Sequence, residues 1–323
     1  MKKILTGMMA AVLVLVSAGC EKVIEFKGEV TQSRLTISSY AEVGTPLTVF
    51  VASSIFFLAD QKNGQAFIEN LDTVRGSVRC FVNGEQEPHV LALMPEGSYA
   101  SLCYQATDYV PSPGDHIRLE AEFPGFDPVW AETDVPWRPS FEFISSQWRT
   151  VDYGTWAGLF DDETEFHELD ITLAVNDDAS YHKFYFLQPL AVFKDDWVPD
   201  GYLVTFQFSS NDVIFREMVG SNAMSLLDDA GGNYFSDELI KGQRHTFTIT
   251  ISGIYDYEKE MISYLGVMTA TASESVYWYD RSFSQTISAM GGLFAEGVTL
   301  YSNVNGGYGF FGASYPVLLD IDW

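Results

Sequence analysis

The sequence predicts a mainly β fold, with an N-terminal immunoglobulin-like β-sandwich followed by a second β-rich domain that carries one helix near the C-terminus. Three observations carry this reading. Short runs alternate apolar and polar residues, Gly or Pro separates them at intervals of about 8 to 12 residues, and one stretch beyond residue 270 has helical periodicity instead.

The chain opens on Met1, Lys2 and Lys3, continues through an apolar stretch at 4–16, and reaches Ser17-Ala18-Gly19-Cys20. A basic start, an apolar run too short to span a bilayer with margin, and small residues before the cut describe a signal peptide over 1–19. Cys20 directly follows two small residues, as lipoprotein processing requires, and it is expected to become the lipidated N-terminus. Several acyl chains would anchor firmly, because each buried methylene contributes about 0.8 kcal/mol. Residues 20–32 then read as a lipid-anchored linker, and the lipid is the expected membrane attachment.

The sandwich is expected over 33–136. Its strands are read at 35–40, 47–51, 77–82, 99–104, 117–121 and 129–135, with Gly44-Thr45-Pro46, Pro113-Gly114 and Pro124-Gly125 as breaks. Asn83-Gly84 is the strongest two-residue hairpin signal in the segment. A hairpin turning there would bring Cys80 near Cys103, and an exported protein meets an oxidising compartment. Two thiols on neighbouring strands pair when their Cα atoms come within about 7 Å. Otherwise they remain buried as small apolar residues.

Pro136-Trp137-Arg138-Pro139 cannot donate fully to a sheet and reads as a stiff link to the domain at 137–323. Strands there are expected at 141–148, 167–175, 182–188, 202–208 and 245–252. The helix follows: Thr271 and Glu274 have capping-box spacing, Val276, Phe283, Ile287 and Met290 share one face, and Gly291-Gly292 ends the run.

A formal charge of -26 opposes binding to nucleic acid or to an anionic lipid surface. It suits solubility, a cationic ligand or divalent cations. The acidic pairs Asp161-Asp162, Asp177-Asp178, Asp195-Asp196 and Asp228-Asp229 offer hard oxygen ligands for Ca²⁺, yet none has the alternating spacing of a calcium loop. They read as solvated loop acids, and no cofactor is expected. His167-Glu168 lacks a second His at helical spacing, and no nucleophile elbow, phosphate loop or dinucleotide fingerprint is present. Catalytic residues are therefore not assigned. Trp148, Trp156 and Trp197 lie near acidic, turn-rich stretches, where rings either stack on a ligand or close the ends of the sheet.

Two phrases in the second half carry a resemblance. One is Phe235-Ser236-Asp237-Glu238-Leu239-Ile240-Lys241-Gly242-Gln243. The other is Tyr301-Ser302-Asn303-Val304-Asn305-Gly306-Gly307-Tyr308-Gly309-Phe310-Phe311-Gly312, after a Tyr-rich helix. With Cys20-Glu21-Lys22 at the start, the chain resembles the Bacteroidota lipoproteins grouped as domain of unknown function 4249. Asp237, Gly242, Asn303, Gly307, Gly309 and Gly312 are the signature positions, read physically as packing and turn residues. The resemblance implies an outer-membrane lipoprotein, non-enzymatic, that serves as a binding or accessory subunit beside a TonB-dependent nutrient receptor. Surface adhesion and a hydrolase with a fold-assembled site are the alternatives.

Overall fold

The computed structural model describes residues 33–54, 76–94, 101–151, 166–195, 198–215, 233–290 and 299–323. Among them, fifteen strands form three sheets.

The first seven strands are β1 (Leu35–Glu42), β2 (Thr48–Ser53), β3 (Ser77–Val82), β4 (Leu91–Leu93), β5 (Leu102–Ala106), β6 (His116–Glu122) and β7 (Val129–Asp134). They divide as β1-β2-β5-β4 against β3-β6-β7. That four-plus-three pairing is the strand arrangement of a constant-type immunoglobulin domain. Period-2 alternation explains the core: Leu35, Ile37 and Ala41 of β1 are buried while Ser38 and Tyr40 point away. They meet Val49 and Val51 of β2, Ile117, Leu119 and Ala121 of β6, and Val129 and Ala131 of β7. Each large aliphatic side chain buried there contributes roughly 1.5–3 kcal/mol.

The second half supplies β8 (Phe141–Val151), β9 (Phe166–Asn176), β10 (Phe184–Asp195), β11 (Val198–Thr205), β12 (Tyr234–Ser236), β13 (Arg244–Tyr255), β14 (Ile262–Ala272) and β15 (Tyr308–Asp320). Strands β13-β9-β8 form a three-stranded sheet, and β11-β10-β14-β15 continue into β1 as part of one nine-stranded sheet. Strand β15 joins the halves. It pairs antiparallel with β14 and parallel with β1 over Thr36–Tyr308 to Glu42–Ser314. Along β15, Phe311 and Ala313 enter the first core and Leu319 packs on the second. All three are odd-numbered, so both small sheets cover the same face of the large one. Phe310 points to the other face, where Val276 and Tyr277 of the C-terminal helix pack with it.

The link at 136–139 thus separates strands of two sandwiches inside one compact unit, Ser33–Trp323. The 137–323 segment is not closed on itself, because Val304, Phe311 and Ala313 complete the first core.

Two helices are present among the described residues: α1 (Asp256–Met261), which the sequence reading lacked, and α2 (Glu274–Met290). The expected cap Thr271 belongs to β14. Helix α2 instead starts after Ser273, whose carbonyl accepts the N–H groups of Val276 and Tyr277.

The cysteine pairing fails on topology. Asn83 and Gly84 do turn with positive φ, but the return is a single bridge, Cys80 to His89, before the chain crosses to β4 in the other sheet. Strand β3 pairs with β6, and β5 with β2. Cys80 faces the sandwich interior beside Leu119, whereas in β5 it is Leu102 that joins that core, so its neighbour Cys103 faces outward. Both thiols are free and buried. Burial pushes the Cys80 thiol up to about 12, so little nucleophilic thiolate exists at neutral pH. A thiol reagent is expected to leave Cys80 unlabelled until the protein is denatured; labelling at a free-thiol rate in native buffer would contradict its placement.

Candidate binding cleft

Four chain segments converge beside the link. Strand β7 brings Glu132, Thr133 and Asp134, and the link brings Pro136 and Trp137. The β9–β10 connection adds Tyr181 and His182, and the start of α2 adds Ser273, Glu274 and Ser275 next to Tyr301 and Asn303. Together they line a cleft of about 580 Å³.

Asn303 sets the frame. Its carboxamide acts as a surrogate strand residue: Oδ1 accepts from Phe311 N at 2.9 Å, and Nδ2 donates to Phe311 O at 2.8 Å and to Glu132 O at 3.3 Å. One side chain therefore ties residues 301–303 to β15 and to β7. The start of α2 is fixed by Ser273 and Ser275. Ala313 N donates to Ser273 Oγ at 3.0 Å, and Ser275 Oγ donates to Phe311 O at 2.9 Å.

The opposite wall is aromatic. Trp137 is 60% exposed, and its indole lies over Gly114, where a Cβ would come within 2.9 Å of the ring. Its backbone N–H donates to Tyr181 Oη at 3.1 Å. The Lys183 ammonium stands 4.7 Å from the Tyr181 ring centre, a cation–π distance. Burial raises the Tyr301 phenol, and the nearby charge of Glu274 raises it further.

The acidic residues of the lining are not alike. Glu132 accepts from Arg118 Nη1 at 2.7 Å, and Asp134 meets His116 Nδ1 at 2.8 Å. Glu274 accepts from the Trp278 indole at 2.9 Å, a neutral donor that leaves the carboxylate charge uncompensated. His182 contacts the fully buried carboxylate of Asp237. Thr133 is 6% exposed, and its hydroxyl has no hydrogen-bond partner.

The phrase at 235–243 is a clip. Asp237 N donates to Lys183 O at 3.0 Å, Gly242 N donates to Asp177 Oδ2, and Asp177 N donates to Gln243 O at 3.0 Å. The clip fixes the connection that presents Tyr181 and His182. Asp177, read from sequence as a solvated acid, is buried and bonded to Lys183 Nζ at 2.9 Å. A ligand-free loop pair becomes an internal ion pair because β10 returns Lys183 beneath it.

The glycines of the closing phrase serve close approach. A Cβ at Gly307 would meet Leu35 O, at Gly309 it would meet Ile37 O, and at Gly312 it would meet Val276 Cγ2 at 2.5 Å. Residues 21–317 match the profile of the family described as domain of unknown function DUF4249. The chain belongs to this family. No curated protein matches it. In this DUF4249 member the residues singled out in the two phrases divide into the clip (Asp237, Gly242), the cleft frame (Asn303), the β1–β15 seam (Gly307, Gly309) and the contact with α2 (Gly312).

Of the three aromatics singled out in the sequence, Trp156 and Trp197 lie outside the described residues, as does Cys20. Trp148 does not line the cleft. It closes the end of the second sandwich, with ring centroids 6.2 Å from His167 and 6.3 Å from Trp323. His167 is on β9, as read, and its Nε2 lies 2.9 Å from Asp256 Oδ1. Among the described residues no group of three or more His, Cys, Asp or Glu side chains gathers to hold a metal ion. The acidic pairs at 161–162 and 228–229 lie outside the described residues. The sequence reading missed Trp137, Tyr181, His182 and Glu274 as neighbours. The available signal was an aromatic between two prolines: Pro136 and Pro139 are buried while Trp137 is exposed.

Proposed function

We propose that this protein is a non-enzymatic outer-membrane lipoprotein, anchored through Cys20, that binds a ligand or partner as an accessory subunit of a TonB-dependent nutrient transporter. The observation that carries the binding role is the cleft. Its walls combine exposed aromatic surface with fixed polar groups, which is the composition of a ligand site. Three of its titratable groups already have partners: Glu132 has Arg118, Asp134 has His116, and His182 has Asp237. Such groups are held in fixed orientations towards a ligand. The anchor rests on the lipobox-like Ser17-Ala18-Gly19-Cys20, and the transporter association rests on the resemblance to lipoproteins found beside such receptors.

The test is extraction of the native protein in mild detergent at natural expression levels. A β-barrel receptor is expected to co-purify, and Cys20→Ala is expected to move the protein to the soluble fraction. Purification always alone would overturn the accessory role, and unchanged membrane retention of Cys20→Ala would overturn the anchor.

A further inference from the structure

We propose that the cleft beside Trp137 takes its ligand by a protonated amine or guanidinium carried on an apolar stem. The inference deepens the binding role above and rests on it. Glu132, Asp134 and Glu274 are among the residues that line the cleft, and no Lys or Arg is. Arg118 answers Glu132, and His116 answers Asp134, but the donor to Glu274 is a neutral indole. The cleft therefore retains negative charge at the start of α2. A carboxylate accepts up to about four hydrogen bonds, so Glu274 keeps capacity for a cationic donor.

A further feature selects the same chemistry. Trp137, Tyr181 and Tyr301 are among the lining residues, and aromatic faces attract ammonium and guanidinium groups while burying the methylenes beside them. An anionic ligand would meet the uncompensated charge of Glu274, and the overall charge of -26 would slow its approach.

The experiment is titration calorimetry on the purified, lipidated full-length protein in detergent. Cadaverine and the peptide acetyl-Gly-Lys-Gly-amide are the cationic probes, with maltose and glutarate as neutral and anionic counterparts. Both cations are expected to bind, maltose and glutarate are not, and raising the salt should weaken the cations. Tighter cadaverine would assign a free amine as the source, and a tighter peptide a side chain on a partner protein; either supports the shared chemistry. Glu274→Gln and Trp137→Ala are each expected to weaken binding about tenfold, the range of a desolvated cation–π or ionic contact. Should Trp137→Ala fail to fold, Glu274→Gln and Asp134→Asn carry the test. The proposal is overturned if neither cation binds the folded protein, if maltose or glutarate binds as well, or if the cleft variants change nothing. Receptor co-purification with a cleft inert to cations would remove this proposal alone. Cation binding without a receptor would remove the accessory role alone.

Discussion

Replacing Gly309 with Ala is expected to destabilise the protein by about 3 kcal/mol or more, enough to remove much of the 5–15 kcal/mol that typically separates native from unfolded chains. Gly309 has φ +114, a conformation that L side chains rarely adopt, and an added Cβ would collide with the Ile37 carbonyl oxygen. The collision is with backbone, and it falls in the parallel register where Gly309 faces Ile37. Neither strand can retreat, because Ile37 is fully buried in the first core and Phe311, two residues along β15, is buried beside it. Relief would require parting β1 from β15, the seam that makes one sheet of two sandwiches. Gly44 is the matched control. It has φ +90 but nothing within 4 Å of an added Cβ, so Gly44→Ala should lose only backbone strain, about 1–2 kcal/mol. Urea denaturation of both variants decides the matter. Equal losses at the two positions would mean that the close approach to Ile37 does not constrain the seam.

The contrast between these glycines marks where the sequence was readable. The first sandwich was legible because its signals are local. Alternation in Leu35–Glu42 and in His116–Glu122 specifies which face is buried, and Pro113-Gly114 and Pro124-Gly125 end strands by their own geometry. Strand β14 was missed for the converse reason. Ile262–Ala272 is buried at Leu265, Gly266 and Val267 in succession and again at its last four residues, so it lacks the alternation that reveals a half-exposed strand. Short β4 offers too few residues for any period. Which of the two alternatives holds for Cys80 and Cys103 was not legible, because the Asn83-Gly84 turn is local, while the crossing to β4 depends on sheet assembly.

The cleft was illegible for a related reason. Its lining comes from positions as far apart as Gly114 and Asn303, and tertiary pairing of β15 with β1 and of Asn303 and Asn305 with β7 brings those regions together. Asn303 and Asp237 could be recognised as signature residues, but what they hold could not. Asn303 reads the backbone of Phe311, and Asp237 meets His182 from a fully buried position. Neither partner is encoded by spacing.

Asp177→Ala should be the most damaging polar substitution among the described residues, at roughly 3–5 kcal/mol. Asp177 accepts from Lys183 Nζ at 2.9 Å, Ala179 N at 2.8 Å and Tyr185 Oη at 3.1 Å, and also from Gly242 N. Its removal strands a buried ammonium and three further donors at the point where the clip meets the β9–β10 connection. Asp178 cannot substitute, since its side chain is 71% exposed and its pairing with Lys183 is open to solvent. The double variant Asp177→Ala/Lys183→Met should be less damaged than the sum of the two single variants, because it leaves no unpaired charge. The acid limb has a defined sign. Burial alone would raise the Asp177 carboxyl, but the donors from Gly242, Lys183, Ala179 and Tyr185 together outweigh it and hold it below the usual range. Hydrogen bonds from Lys183 and Ser180 also hold Asp178 well below the usual range. A depressed carboxylate contributes stability that is present above its unfolded pKa of about 3.9 and is lost as pH falls through the folded value. Lys183 is raised: burial lowers it, but its bonds to Asp178 and Asp177 prevail. Its contribution is therefore complete below about pH 10.4 and is lost only at more alkaline pH. Denaturation midpoints measured across the acid range should fall less steeply in Asp177→Ala than in the native protein. A single-variant loss under about 1 kcal/mol, or a double variant equal to the sum, would show that the Asp177–Lys183 pair does not hold the connection in place.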